Sequence, residues 1–434
     1  MKYWKESPRM PDAAERRLGP NPRSEANTIM DWNRRFAGRT RHMQRSTVRE
    51  LLKVAARPEI ISFAGGLPAA EFLPVDAVRR ATESVLARRA GRALQYGESE
   101  GIPELREWIA RRESSASLTL RPENILITHG AQQALDLIGR VLLDGGDTVL
   151  VENPTYLALL SAWRPWEVRF VPLPGDHDGL RTDSLHGLDR GRTRAKLLYT
   201  IPNFQNPSGT TLSHPRRQEL VQECRTRGIG VVEDDPYGEL RYEGEAPPSL
   251  LSLDAALAAK NPEASNVLRV GTFSKTLAPG LRLGWVTGPT AVIDKLVQAR
   301  QATDLHPATL NQWIALELLE QGSLEERLPA IRAEYRRRRD LMIAALDQHL
   351  GRFATWTRPQ GGMFLLVQLN AGKSAADLLP EALKAGIAFV PGDVFHTDAS
   401  GANTLRLNFS NTAPERIEEG IRRLAGVVAT AFAA

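Results

Sequence analysis

Lys275 closes the run Thr272-Phe273-Ser274-Lys275, and Arg282 follows in Pro279-Gly280-Leu281-Arg282. Two hydroxyls, an amine and a guanidinium so close together can hold a phosphate while presenting the amine beside it. A lysine alone there reads as a surface residue; its neighbours change that. Upstream, the apolar Gly230-Val231-Val232 runs straight into Glu233-Asp234-Asp235, with Tyr237 just beyond. Acids at the end of an apolar run are costly unless a cation or solvent meets them. A helix N-cap at Asp235 is the equal alternative. A metal is the weaker reading, because no histidine lies at ligand spacing. In Thr128-His129-Gly130-Ala131-Gln132, glycine joins an apolar run to a helical pattern, where free backbone N–H groups can bind an anion. Asn203-Phe204-Gln205-Asn206-Pro207-Ser208-Gly209 is either a plain turn or an amide set beside the neighbouring acids.

Each cluster follows a short apolar run, so the elements that must position them come next. Runs at 125–128, 148–152, 168–172, 196–201, 230–234, 267–272 and 283–287 are expected to form seven buried strands. Amphipathic segments such as 132–143 and 215–227 separate several of them. This alternation implies α/β architecture: an open, mainly parallel sheet covered on both faces. Ligands of such sheets sit beyond the carboxyl ends of the strands. Val48, Leu51, Leu52 and Ala55 share one helical face, and Pro58 stops that helix. A long charged helix over 324–349 leads into a smaller α+β part with apolar runs at 363–369, 388–391 and 404–409.

The chain has 434 residues, 42% hydrophobic and 25% charged, the balance of a globular protein with a sizeable core. One cysteine, Cys224, rules out an intrachain disulfide. No apolar stretch reaches the roughly 18 residues of a membrane span, and the start is too polar for a secretory signal, so a cytoplasmic protein is expected. The net charge of +5 is uneven, with twelve Lys/Arg against five Asp/Glu in residues 1–49. Without interleaved aromatics or a nucleic-acid motif, this arm reads as solvated rather than as a nucleic-acid binder. Residues 1–29, broken by prolines, are expected to be a flexible extension.

From about Met30 the chain resembles the fold-type I pyridoxal-phosphate aminotransferases of class I/II. The likeness rests on an ordered series: Asn206-Pro207-Ser208-Gly209, Asp234 with Tyr237, Ser274-Lys275, Arg282 and Arg406. Phe63-Ala64-Gly65-Gly66-Leu67-Pro68, Leu94-Gln95-Tyr96, Asp304-Leu305-His306-Pro307 and Gly361-Gly362-Met363-Phe364 look most like the α-aminoadipate and kynurenine/α-aminoadipate group. The resemblance implies a large cofactor-binding domain over 76–320. A small domain would be built from the arm and helix of 30–75 together with 321–434.

It also implies roles. Lys275 would carry the cofactor as a Schiff base and shuttle the substrate proton, and Asp234 would pair with the pyridine nitrogen. Tyr237 and Asn206 would bind the ring oxygen, and Tyr156 would stack on the ring. Thr272, Ser274, Arg282 and the backbone at Ala131 and Gln132 would hold the phosphate, joined by Tyr96 from the other subunit of a homodimer. Arg406, with Asn206, would clamp the substrate α-carboxylate, and Gly65 and Gly66 would line the substrate side. Arg49 matches a position that reads a distal carboxylate, though a solvated helix arginine fits equally. The implied reaction moves an amino group from an L-amino acid (2-aminoadipate, aromatic or branched-chain) to 2-oxoglutarate. A lyase, decarboxylase or oxidase on the same scaffold is the alternative. An aminotransferase-like regulatory domain is more remote, since 29 residues are too few for a helix-turn-helix module.

Overall fold

The computed structural model describes residues 30–43, 45–55, 57–189, 194–370, 372–398 and 400–433. The expected extension, 1–29, lies outside the described residues. In chain order the strands begin with β1 (Ile61–Ser62), β2 (Ile125–Thr128), β3 (Thr148–Asn153), β4 (Arg169–Asp176) and β5 (Gly179–Leu180). The middle of the chain adds β6 (Ala195–Thr200), β7 (Gly230–Asp234), β8 (Val267–Thr272) and β9 (Gly284–Thr287). The C-terminal part holds β10 (Ala354–Trp356), β11 (Phe364–Leu369), β12 (Ile387–Ala388), β13 (Val390–Pro391) and β14 (Thr404–Asn408).

The large sheet has the order β2-β9-β8-β7-β6-β3-β4-β5. All seven expected strands are in it. The eighth, β5, is a two-residue hairpin partner of β4, too short to leave an apolar run in the sequence. From β8 across to β4 the neighbours are parallel, whereas β9 runs antiparallel to both β2 and β8. The two faces feed different cores, as the two-residue period of a strand requires. Leu126, Val149, Val151, Tyr199, Val232 and Val270 enter one core, and Ile125, Ile127, Leu150, Leu198, Val231 and Val267 the other. Burial on both faces is why these strands read as unbroken apolar runs.

The C-terminal sheet is antiparallel, β10-β11-β14-β13, and β1 pairs with β12 as a separate parallel ribbon. The run at 388–391 is thus not one strand, because the chain changes sheet at the buried Phe389. Helix Ser323–His349 spans the expected charged stretch and packs on helix Pro414–Ala433. In helix Thr47–Ala55, Leu51 and Ala55 bury against Ala388, Val390 and Phe395, with Val48 and Leu52 packed alongside. Among the described residues no helix is long and apolar enough to cross a membrane, and no three or more His, Cys, Asp or Glu side chains are grouped so as to hold a metal ion.

Candidate active site

The carboxyl ends of β2, β6, β7 and β8 meet at one edge of the large sheet, with Thr200 paired to Glu233 and Asp234 to Val270. Because β9 runs the other way, its first residue, Gly284, lies beside both Thr128 and Thr272. A Cβ on Gly284 would sit 2.7 Å from the Ala131 nitrogen and the Gly130 carbonyl carbon. Only glycine lets the β2 turn and the Lys275 loop close on each other here.

That closure builds an anion cup. Helix Ala131–Leu142 starts after Gly130 (φ 79°), and the first-turn N–H groups at Ala131 and Gln132 have no acceptor within the helix. Arg282, itself in the left-handed region (φ 52°), crosses to donate from Nη2 to the His129 carbonyl at 3.2 Å. A Cβ on Gly130 would meet that guanidinium at 2.8 Å. The Thr272 and Ser274 hydroxyls lie 2.9 Å apart. The Gln132 side chain turns away to the Ala158 carbonyl, so only its backbone faces the cup.

Lys275 donates from Nζ to the Gly66 carbonyl at 2.7 Å. Burial, and then Arg406 and Arg282 nearby, lower its pKa to about 8. Asp234 is buried and takes the Tyr199 hydroxyl on Oδ2 at 2.7 Å, while Oδ1 is buried without a partner. Burial raises this acid to about 7, opposed by the Tyr199 hydrogen bond. The Tyr237 phenol is buried and pushed far above its ordinary pKa by desolvation, an effect that the Asn206 side chain opposes. Burial and the Asp234 charge raise the Tyr156 phenol to about 12, while the charges of Arg406, Arg49 and Arg282 pull it down. Tyr156 therefore marks where these distant segments converge.

Arg406, at the middle of β14, enters from the smaller sheet. It donates from Nη2 to the Ala64 carbonyl at 2.7 Å and from Nη1 to Asn206. Its guanidinium carbon lies 4.3 Å from the Phe364 ring centroid and 5.0 Å from that of Phe395, and Nε is buried with no partner. Burial lowers its pKa to about 10. A protonated aromatic nitrogen would answer the orphaned Asp234 Oδ1, a phosphate the cup, and a carboxylate Arg406. The residues present thus fit pyridoxal phosphate and an amino acid.

Three expected positions stand apart. Arg49 is exposed on its helix, has no ion-pair partner among the described residues, and reaches the site only through its charge on Tyr156. Gly65 lets helix Thr47–Ala55 approach closely, since a Cβ there would lie 3.1 Å from Leu52 Cδ2. Tyr96 is exposed and contacts His306 instead of this chain's own cup. The acid cluster resolves into separate duties. Arg269 is the cation, pairing with Asp235 at 2.7 Å and with Glu113. Asp235 caps a turn at Gly238 rather than a helix, and Glu233 instead accepts from Leu250 and Leu251 at the start of helix Leu250–Leu257. Sequence reasoning missed Tyr199 and Glu152. Glu152 is buried beside Asp234, accepts from the Ile201 N–H at 2.8 Å, and has its pKa raised by burial to about 8.

Comparison with known proteins agrees with this geometry. The family described as aminotransferase class I and II matches residues 58–424. The 2-aminoadipate transaminase of Thermus thermophilus is 42% identical, over 91% of this chain and 96% of its own. Aromatic-amino-acid aminotransferase 1 of Thermococcus litoralis is 40% identical, over 93% and 96%. Among solved structures, the alpha-aminoadipate aminotransferase of Thermus thermophilus, complexed with N-(5'-phosphopyridoxyl)-L-leucine, superposes with a TM-score of 0.86 at 40% identity. The match covers 93% of this chain and all of that one. With a strand-end site whose residues fit this cofactor and likeness running nearly end to end, the chain belongs to the class I and II aminotransferases, the pyridoxal-phosphate-dependent transaminases of fold type I.

Proposed function

We propose that the enzyme moves the amino group of an L-amino acid to 2-oxoglutarate, with 2-aminoadipate, aromatic and branched-chain amino acids as candidate donors. The observation that carries this is the convergence of an amine, an orphaned carboxylate oxygen and a desolvated guanidinium in one buried space. When bound, pyridoxal phosphate supplies an electron-withdrawing ring that accepts negative charge from the substrate Cα. The chain supplies the rest. Lys275 is the covalent anchor and, with a pKa near 8, an amine able to take and return a proton near neutral pH. Asp234 keeps the ring nitrogen protonated, and Tyr237 and Asn206 hydrogen-bond the ring oxygen. Tyr156 covers one ring face. Thr272, Ser274, Arg282 and the N–H groups of Ala131 and Gln132 hold the phosphate.

Arg406 orients the α-carboxylate as a planar fork, and Arg49 reads a distal carboxylate across the space that Gly65 and Gly66 border. We further assign the division into a large domain (76–320) and a small domain (30–75 with 321–434). Tyr96 completes the cup of a second copy, so the working form is a homodimer. The buried, free Cys224 accords with a cytoplasmic enzyme.

The test is a panel of amino donors with 2-oxoglutarate, read by glutamate formation. Amino acid alone should convert the cofactor stoichiometrically to its amine form. Multiple turnovers releasing ammonia or carbon dioxide would instead establish a lyase, oxidase or decarboxylase.

A further inference from the structure

We propose that Tyr199 is a positioning residue, its hydroxyl fixing the Asp234 carboxylate so that Oδ1 alone is left to meet the cofactor's ring nitrogen. This rests on the functional reading above, in which Asp234 pairs with that nitrogen. Tyr199 on β6 pairs in register with Val232 on β7, and Asp234 lies two residues farther along the same strand. Residues two apart on a strand share a face, so both side chains leave the sheet on the same side. They meet at 2.7 Å, tyrosine O–H to aspartate Oδ2.

A terminal carboxylate rotates freely about its last torsion. Tying one oxygen removes that freedom and aims the other. The tyrosine is itself held. It is fully buried, with the ring of Trp163 edge-on at 6.1 Å, and the indole donates to the Leu135 carbonyl at 2.7 Å. Burial and the Asp234 charge push its ionisation well above the ordinary phenol value, so the hydroxyl remains a donor to Asp234. Glu152, the next acid along this edge, is occupied by the Ile201 N–H and kept from ionising readily by burial. Asp234 is then the carboxylate that answers the ring, and Tyr199 decides how it faces.

Tyr199→Phe removes one oxygen and leaves the packing against Trp163. Apoenzyme of the variant, titrated with pyridoxal 5'-phosphate, should show Kd raised by roughly ten-fold, the scale of one hydrogen bond to a charged group. Its kcat should fall while the amino-acid KM holds. In an Asp234→Asn background the same change should add little, because the group it positions is already gone. A lower melting temperature with unchanged Kd, or a Kd loss that is fully additive with Asp234→Asn, would overturn the assignment. Wild-type protein that takes up no cofactor at Lys275 would overturn the functional reading itself. Normal wild-type uptake with an indifferent Tyr199→Phe would overturn only the role of Tyr199.

Discussion

The Arg406 guanidinium donates to Asn206 Oδ1 at 2.8 Å, joining residues 200 positions apart in the chain. One comes from the middle of the small antiparallel sheet, the other from the turn beyond β6 in the large one. In the proposed roles, the amide that would serve the ring oxygen is thus oriented by the guanidinium that would clamp the substrate. Arg406→Lys keeps the charge but loses the fork, so it cannot hold Asn206, Ala64 and a carboxylate together. Steady-state kinetics should show kcat/KM down by about ten- to hundred-fold, a loss on the scale of hydrogen bonds to a charged group. A drop of less than two-fold would mean that Arg406 is structural.

Lys275 carries a pH signature of its own. Its amine has a pKa of about 8 in the folded apoenzyme against 10.5 ordinarily. Below pH 8 the lysine is protonated in both states, and the folded state bears the full desolvation cost. Between about 8 and 10.5 the unfolded chain binds the extra proton, so stability rises with pH across that window. Lys275→Met has no such cost. Apo Lys275→Met should therefore melt above apo wild type at pH 7, and the gap should narrow as pH climbs from 8 towards 10.5. A constant gap would show that the amine is not desolvated.

Arg269 offers a stability test with no metal involved. Its guanidinium balances Asp235 and Glu113, both nearly buried, with Glu233 3.9 Å away. Arg269→Met would leave these acids without their cation, at a cost of about 3 kcal/mol. Chemical denaturation should show that loss at pH 7, while added divalent cations should not restore it. Rescue by a metal would revive the idea of a cation site there.

The contrast between Asp234 and Tyr199 shows what the sequence could reveal. Asp234 is legible because an acid that ends an apolar run breaks the pattern of its own strand. Tyr199 sits inside Lys196-Leu197-Leu198-Tyr199-Thr200, where an aromatic side chain is ordinary strand filling. Its partner lies on another strand, and only the order β7-β6-β3 places Tyr199 and Glu152 beside Asp234. Strands β2, β3, β6, β7 and β8 are legible because both of their faces are buried, whereas in β4 only Leu173 is buried. Strand β5 and the division at Phe389 are not legible, since two-residue strands carry no period. Arg49 remained two-sided for another reason: its helix buries Leu51 and Ala55 whether or not the exposed face reads a substrate.

That ambiguity at Arg49 has a direct resolution. The side chain is exposed, has no carboxylate partner among the described residues, and is felt electrostatically by Tyr156. Arg49→Gln removes the charge at small steric cost. The KM for 2-aminoadipate should rise by roughly ten-fold, in keeping with one lost charge-assisted contact, while the KM for leucine stays within about two-fold. Equal losses for both substrates would assign Arg49 to the packing of its helix.

Tyr96 tests the assembly. The side chain is 77% exposed, its ring stands edge-on to His306 at 5.6 Å, and its hydroxyl makes no hydrogen bond among the described residues. Leu94, two residues before it, and Leu305, next to His306, are exposed as well. If Tyr96 serves the phosphate cup of a second copy, Tyr96→Phe should weaken cofactor binding by several-fold, within the range of one hydrogen bond to a charged acceptor. The location of that defect can then be read by mixing subunits. In a heterodimer of Tyr96→Phe with Lys275→Ala, one site combines Lys275 of the first protomer with the intact Tyr96 of the second. That site should bind pyridoxal phosphate with wild-type affinity, although neither parental homodimer does. If the heterodimer keeps the weakened affinity of Tyr96→Phe, the tyrosine acts within its own chain and the shared site is wrong.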